Sequence, residues 1–208
     1  MKTYRVHIIR HGRTDANNDG RYIGVTDEPL NNEGRLELDA LRDCGAYPDV
    51  DAVYSAPSLR CTETAKIIYP ENEITVVENI KECNFGDFEN KTAEQLKDND
   101  IFKRWIAGEQ GVAPPNGEST PDFVMRSVAS FAAIIEDIMR EGTRYSSIVT
   151  HGGVIMAVLS TCGLPQRSFA DWRCDFGKGF TLLITPSLWM RSYKFEVLTE
   201  DYDSEENP

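Results

Sequence analysis

Short apolar segments suited to β-strands alternate with longer segments of helical periodicity along this chain. Strand candidates cover residues 4–9, 52–55, 74–77, 147–150, 180–185 and 192–198, and helix candidates cover residues 32–44, 59–69, 93–97, 121–141 and 154–162. Such alternation places parallel strands side by side with helices as connections. We therefore predict an α/β fold, a three-layer sandwich whose mostly parallel central sheet has helices on both faces. No helix is predicted between the last two strand candidates, so we expect these strands to pair as a hairpin.

The length of 208 residues and the hydrophobic content of 40% fit a single domain with a sizeable core. We place this domain at residues 1–199 and interpret residues 200–208 as an acidic C-terminal tail. The chain has no leader pattern and no apolar run long enough to cross a bilayer. Its five cysteines are odd in number and lack metal-ligand spacing, which favours free thiols. We expect a cytoplasmic protein that does not associate with membranes.

The net charge of −12 limits the classes of ligand that this chain can bind. A nucleic-acid partner would require a basic face, so we expect none. The same charge opposes a small anionic ligand at long range. Any anion site must therefore depend on a local cluster of arginines and not on the field of the whole protein.

Two of the three histidines stand where a strand candidate ends and a glycine follows, as His11-Gly12 and His151-Gly152. Ligands of α/β proteins bind at the carboxyl ends of the strands, so both imidazoles can reach one pocket. Arg10, directly before His11, indicates an anionic ligand. Each pair alone also fits an ordinary strand-ending turn. His7 lies inside the first strand and is interpreted as a structural histidine.

Further motifs lie between and around these histidines, in one order along nearly the whole chain. They are Arg-His-Gly-x-Thr at 10–14, Asn17, Gly24-x-x-Asp27-x-x-Leu30-x-x-x-Gly34, Ser55-x4-Arg60-x3-Thr64-Ala65, Glu82-x-x-Phe85-Gly86 and His151-Gly152-Gly153. In these motifs the chain resembles the histidine phosphatase superfamily, in the branch that includes cofactor-dependent phosphoglycerate mutases. The motif Pro-Pro-x-Gly-Glu-Ser at 114–119 is similar to the corresponding segment of the small phosphatases, such as α-ribazole phosphatases. The pattern departs from the family at Asn90, where glycine is common.

The resemblance implies a catalytic role for five residues. His11 would be the nucleophile that becomes phosphorylated, and His151 would donate to the phosphoryl oxygens. Arg10 and Arg60 would clamp the phosphate, because a guanidinium can give two parallel hydrogen bonds. By position alone, Arg60 also fits a solvated residue in a first helical turn. Glu82 would protonate the leaving oxygen and later deprotonate water, which requires a raised pKa.

A second group of residues is expected to bind the phosphate or to line the mouth of the site. This group consists of Thr14, Asn17, Ile23, Gly24 and Gly152, with Gly153 supplying a further backbone amide. Glu89 and Glu94 compete locally with Glu82, but their spacing to Phe85-Gly86 does not fit the motif. The turn-rich residues 105–120 fit either a plain surface loop or a substrate lid. Cys61 and Cys83 each neighbour a candidate catalytic residue, and a structural role is favoured over redox control.

The leading hypothesis is a metal-independent phosphatase that hydrolyses a small phosphorylated metabolite through a phosphohistidine. One alternative is a cofactor-dependent phosphoglycerate mutase, which shares these residues but returns the phosphoryl group to its substrate. We associate an Arg-His-Tyr-Gly motif with that subgroup. At the corresponding place this chain has Glu82-Cys83-Asn84-Phe85-Gly86 instead. Another alternative is a non-catalytic phospholigand-binding module on the same fold. We expect no metal site and no cofactor; the substrate and the oligomeric state stay open.

Overall fold

The computed structural model describes residues 2–200, so the predicted acidic tail lies almost wholly outside the described residues. The strands are β1 (Tyr4–Arg10), β2 (Ala52–Ser55), β3 (Ile74–Val76), β4 (Tyr145–Thr150), β5 (Gly163–Leu164), β6 (Gly179–Ile184) and β7 (Phe195–Glu200). The α-helices are α1 (Asp15–Asn18), α2 (Asn32–Asp43), α3 (Leu59–Ile68), α4 (Ala93–Leu96), α5 (Asp100–Ile106), α6 (Thr120–Glu141), α7 (Gly152–Cys162) and α8 (Pro186–Ser192). Short 3-10 helices cover Glu78–Ile80, Gly86–Phe88 and Phe169–Trp172.

The strands form one seven-stranded sheet in the order β3-β2-β4-β1-β6-β7-β5. β1 lies in the middle, parallel to β4 and antiparallel to β6. Val6, Ile8 and Ile9 of β1 are almost completely buried, as expected of a strand that is covered on both faces. The β2–β3, β2–β4 and β5–β7 pairs are also parallel, whereas β6 and β7 are antiparallel. The predicted α/β sandwich with a mostly parallel sheet is confirmed.

The connection between β6 and β7 differs from the prediction. These strands do pair in antiparallel fashion, but α8 lies between them and β7 begins at Phe195, so the simple hairpin starting at residue 192 is wrong. Pro186 occupies the first turn of α8, and Tyr193 ends this helix with a φ of 52°. Trp189 is buried against Phe131 of α6 and Phe195 of β7. This long-range packing favours one helical segment before the last strand.

Helices cover the sheet, with α2 packed on α3 and α6 packed on α7. Ser119 caps the 22-residue α6, which ends at Gly142 with a φ of 77°. Helix α7 is apolar all round, because it is enclosed between the sheet, α6 and the Phe169–Trp172 turn. Within residues 2–200, we find no helix with the length and apolarity needed to span a membrane.

The topology brings distant parts of the chain to the carboxyl edge of the parallel strands. His11 follows β1 and His151 follows β4, and the His11 N–H donates to Thr150 O at 2.9 Å across these two strands. Helix α3, which carries Arg60, starts shortly after β2 at the same edge. The candidate site is therefore assembled where the fold leaves strand ends open.

Candidate active site

His11 is held in one tautomer. Its ring is buried, and Nδ1 lies 2.7 Å from Gly12 O. A carbonyl oxygen only accepts hydrogen bonds, so Nδ1 carries the proton and Nε2 keeps its lone pair. Burial, followed by the charges of Arg60 and Arg10, holds the pKa of His11 well below its usual range. The imidazole is therefore neutral near pH 7 and able to act as a nucleophile.

The second imidazole lies next to the first. The His11 and His151 rings meet edge to face, with centroids 5.2 Å apart. His151 immediately precedes α7, and its ring nitrogens contact Ser58 Oγ at 3.5 Å and Cys61 Sγ at 3.6 Å. Burial, followed by the charges of Arg60 and His11, lowers the pKa of His151 as well. Both imidazoles thus present neutral nitrogen atoms in one small volume.

Arg10 projects from the end of β1 and is fixed on two sides. Its Nη1 donates to Cys174 O at 2.7 Å, and its guanidinium carbon lies 3.7 Å from the centre of the Phe176 ring. The Nε atom is buried and has no hydrogen-bond partner within the described part of the chain. A buried donor without a partner is costly unless a ligand satisfies it. Arg10 is therefore a preorganised donor for an anion beside His11.

Arg60 is only 1% exposed, which excludes the solvated helix residue that its position alone would allow. It donates through Nη1 to Thr26 O and through Nη2 to Gly24 O, both at 3.0 Å. These bonds tie α3 to residues 24–26. Burial is the main cause of the lowered pKa of His11 and of His151, and the charge of Arg60 is the next largest cause for both. Its positive charge is thus centred close to both rings.

Glu82 lies in the loop after the Glu78–Ile80 turn. Its Oε1 accepts from Cys83 N at 2.9 Å and its Oε2 from Gly153 N at 3.0 Å. Burial raises the pKa of Glu82 against the opposing effects of these two N–H groups and of the nearby arginines. A Cβ at position 153 would lie 2.3 Å from Glu82 Oε1, so any residue other than glycine would displace this carboxyl group. The chain therefore places a carboxyl group of raised proton affinity beside the start of α7.

A cavity of about 390 Å³ connects these groups to solvent. It is lined by Arg10, His11, Asn17, Arg21, Tyr22, Ile23, Glu82, Phe85, Gly152, Gly153, Met156, Arg173 and Cys174. Three of the five predicted catalytic residues line it, while Arg60 and His151 are buried beside His11. In residues 2–200 no three or more His, Cys, Asp or Glu side chains are grouped as metal ligands. The site combines nucleophile, anion donors and a carboxyl group within one small pocket.

Residues 6–188 match the model of the histidine phosphatase superfamily (branch 1). This chain belongs to that superfamily. It is 28% identical over 180 residues to the adenosylcobalamin/alpha-ribazole phosphatase of Escherichia coli K12, a match that covers 83% of this chain and 86% of the relative. It is also 28% identical over 169 residues to the Yersinia pestis protein named "Probable phosphoglycerate mutase GpmB", covering 79% and 77% of the two chains. The alpha-ribazole phosphatase structure from Shigella flexneri superposes with a TM-score of 0.80 at 25% identity, covering 96% of each chain.

This membership explains the order of the motifs, and the structure gives each predicted binding residue a definite place. Asn17, Ile23 and Gly152 line the cavity. Thr14 instead caps α1, where its hydroxyl accepts from Asn17 N at 3.3 Å. Gly24 does not line the cavity; its carbonyl binds Arg60. The Gly153 N–H donates to Glu82, so of these two glycines Gly152 is the one whose N–H can bind a phosphate.

The two competing carboxylates are engaged elsewhere, and Glu94 forms an ion pair with Lys97. Glu89 accepts from the backbone N–H groups of Gly24, Val25 and Thr26 at the start of the site loop, and from Phe85 N at 3.1 Å. Asn90 follows with a φ of 62°, a left-handed conformation that asparagine tolerates in place of the family's glycine. Glu89 therefore shapes the 24–26 loop.

Residues 105–120 brace the Glu82 loop. Pro115 O accepts from Asp87 N and Asn84 O accepts from Glu118 N, both at 2.8 Å. Gly86 has a φ of 50°, and a Cβ there would lie 2.1 Å from Pro115 O. These contacts join residues 115–118 to the loop that carries Glu82.

Two groups of residues at the site belong to none of the motifs found in the sequence. Arg126 of α6 donates to Asn79 O, Lys81 O and Glu82 O, and it forms an ion pair with Glu118 at 2.7 Å. It thereby holds the backbone from which Glu82 projects. The segment 173–176 supplies the carbonyl and the ring that fix Arg10. Neither contact follows from a local pattern, because both join segments far apart in sequence.

Thiol labelling tests the structural interpretation of the cysteines. Burial raises the pKa of Cys61 and of Cys83 to about 12, so the reactive thiolate is scarce, whereas Cys44 is exposed. Iodoacetamide at about pH 8 should modify Cys44 and spare both site cysteines in the folded protein. Peptide mass spectrometry, with guanidinium-unfolded protein as the fully labelled control, measures this. Labelling of Cys61 as fast as Cys44 would contradict the structural role.

Proposed function

We propose that this protein hydrolyses a small phosphomonoester through a phosphohistidine at His11, without a metal ion or other cofactor. One observation carries the proposal: His11 presents a neutral Nε2 at a cavity that also holds Arg10 and the carboxyl group of Glu82. Phosphoryl transfer depends mainly on positioning and on charge stabilisation, which arginines can supply.

In the first step, His11 Nε2 attacks phosphorus and the bond between phosphorus and the ester oxygen breaks. Glu82 gives its proton to that oxygen, so an alcohol leaves and a carboxylate remains. Arg10 faces the negative charge on the phosphoryl oxygens, and buried Arg60 adds positive charge close to both imidazoles. His151 donates its single N–H to a phosphoryl oxygen.

In the second step, water attacks the phosphorus of phosphohistidine. The Glu82 carboxylate accepts a proton from this water, the P–N bond breaks and inorganic phosphate forms. His11 and protonated Glu82 are regenerated together. One carboxyl group serves both steps because its raised pKa lies nearer to the working pH than that of an exposed glutamate.

The main alternative is a phosphoglycerate mutase, since the same groups can return the phosphoryl group to a bound alcohol. A relative carries that name, and a non-catalytic binding module would retain the same fold. We favour hydrolysis for two reasons. The segment Glu82-Cys83-Asn84-Phe85-Gly86 differs from the Arg-His-Tyr-Gly motif associated with the mutases, and the relative from E. coli is named a phosphatase. We further propose a cytoplasmic protein whose partner is a small phosphorylated metabolite, with no nucleic-acid or membrane partner.

A panel of phosphorylated metabolites tests this proposal. Each compound is incubated with chelator-treated enzyme, and free phosphate and isomerised ester are measured separately. We expect free phosphate from at least one compound, with turnover unchanged by the chelator. Isomerisation without phosphate release would favour the mutase, and no turnover of any compound would favour the binding module.

Replacement of Arg60 tests its electrostatic role. Arg60→Ala should slow all phosphoryl-transfer substrates by about 10²-fold or more, as removal of a preorganised donor does. Its charge acts on the phosphoryl group, so alkyl and aryl esters should lose the same factor in kcat/KM. Arg60→Lys, which keeps the charge but cannot bind both Gly24 O and Thr26 O, separates charge from loop anchoring. A loss confined to one class of ester would contradict a phosphate clamp.

A further inference from the structure

The cavity contains two arginines that the transfer steps do not use. Arg21 and Arg173 both line it, in addition to Arg10. Glu82 is the one carboxylate among the lining residues, in a chain of net charge −12. In the proposed steps, Arg10 and Arg60 already serve the transferring phosphate. Arg21 pairs with Asp19, whereas Arg173 has no ion-pair partner among the described residues, so Arg173 adds positive charge at the mouth.

The Arg173 guanidinium is free to bind a ligand. It lies between the Phe169–Trp172 turn and Cys174, whose carbonyl anchors Arg10. Its side chain makes no hydrogen bond or ion pair with any other described residue. The nearby Asp171 is occupied by Ser168, through Ser168 Oγ at 2.6 Å and Ser168 N at 3.0 Å. Arg173 is exposed at the cavity, and its planar guanidinium suits an anion that enters there.

Arg21 is fixed in place but incompletely satisfied. Its Nη2 pairs with Asp19 at 2.6 Å, and its backbone forms a bridge with Thr92. Its Nε atom is buried and has no hydrogen-bond partner in residues 2–200. The following residue, Tyr22, packs against Phe85 at 5.4 Å and Trp105 at 5.8 Å. This aromatic packing makes the wall that carries Arg21 rigid.

The remaining lining residues bring no charge that would neutralise Arg173. Ile23, Phe85 and Met156 are apolar, and Glu82 is uncharged when poised as a proton donor. The cavity of about 390 Å³ is large enough for a phosphate together with its leaving group. A second negative group on the leaving group would share this cavity with Arg173 and Arg21.

We propose that Arg173 and Arg21 form a second anion subsite, which binds a carboxylate or a second phosphate on the leaving-group side of the ester. This inference rests on the proposed function, because a leaving-group side exists only if the bound ester reacts at His11. The subsite itself is a binding property of the cavity and can be measured without turnover. It makes compact esters with a second anionic group the preferred ligands of the site.

The test is equilibrium binding to the His11→Ala protein, which cannot be phosphorylated at position 11. Glycerate 3-phosphate and glycerol 3-phosphate differ only by a carboxylate in place of a hydroxymethyl group. We expect calorimetry to show about 10-fold tighter binding of the carboxylate ester, the effect of one charge-assisted contact. Arg173→Gln added to this background should remove most of that preference and leave glycerol 3-phosphate binding nearly unchanged. Arg21→Gln should reduce the preference in the same direction.

Arg167→Gln is the matched control, because Arg167 lies over the Trp172 ring and not in the cavity wall. The pair of propane-1,3-diol bisphosphate and propyl phosphate then shows whether a second phosphate serves as well as a carboxylate. Equal weakening of both members of a pair by Arg173→Gln would mean that Arg173 contacts the transferring phosphate, which overturns the subsite. Absence of any preference in the parent protein, including absence of binding, would overturn it as well. Failure of the metabolite panel alone would refute hydrolysis and leave this binding result intact.

Discussion

His11→Ala should abolish turnover of every phosphomonoester, on the order of 10⁴-fold or more, as loss of a catalytic nucleophile does. The reason is geometric as well as chemical. His151 lies 5.2 Å away, ring centroid to ring centroid, but it is buried and is not among the residues that line the cavity, so it is not placed to replace His11 as the nucleophile. Initial rates with an alkyl and an aryl ester measure the effect.

His7 offers a matched control for this replacement, since it is the third histidine and lies on the same strand. Its Nδ1 lies 3.0 Å from Thr181 Oγ1 of β6, away from the cavity. His7→Asn should change thermal stability and leave turnover per folded molecule within about 3-fold, because surface and packing changes outside the site do not alter the reacting groups. Turnover surviving in His11→Ala, with the fold verified by circular dichroism, would refute the nucleophile assignment.

Glu82→Gln should have the second-largest effect, and its size should depend on the leaving group. General acid catalysis is worth about 10²–10⁴-fold, and it matters only where the leaving oxygen is basic. Single-turnover phosphorylation should therefore fall strongly for an alkyl phosphate and weakly for an aryl phosphate with an acidic phenol. Single turnover is required because Glu82 also acts on water in the second step, which slows steady-state hydrolysis of both esters.

The pH profile supplies an independent check on Glu82. Because burial raises its pKa, the protonated form persists to higher pH than in an exposed glutamate, and alkyl-ester phosphorylation should decline only above that raised pKa. This decline should vanish in Glu82→Gln, whose amide does not titrate. An equal loss for both esters would show that Glu82 is not the acid. Glu89 and Glu118 are poor substitutes, since one is bound to the 24–26 loop and the other to Arg126.

Much of the fold could be predicted because local and long-range preferences agree. The apolar run of β1 and the periodic α6 each suit one kind of element, and their alternation leads to the sandwich. Helix α8 could not be predicted in this way. Its seven residues begin with a proline, and the helix is stabilised by the burial of Trp189 against distant aromatic rings. Here tertiary packing, which no local window contains, selects the structure.

The candidate site shows the same division. His11, Arg10 and Glu82 belong to local motifs, and the structure places all three on one cavity. Arg173 and Arg126 act through segments that are brought close only by the complete fold. Gly153 was assigned a phosphate-facing amide, but that N–H is bound to Glu82. Residue identity predicted the chemistry, whereas the direction of each hydrogen bond required the structure.

Trapping the covalent intermediate tests the central claim most directly. The enzyme is mixed with a radiolabelled ester, quenched in milliseconds under alkaline conditions, and digested for mass spectrometry. We predict one phosphate per enzyme on the peptide containing His11, stable to alkali and lost in mild acid, and absent from His11→Ala. Phosphate found on a serine, a cysteine or His151, or rapid product formation without any labelled protein, would contradict the mechanism.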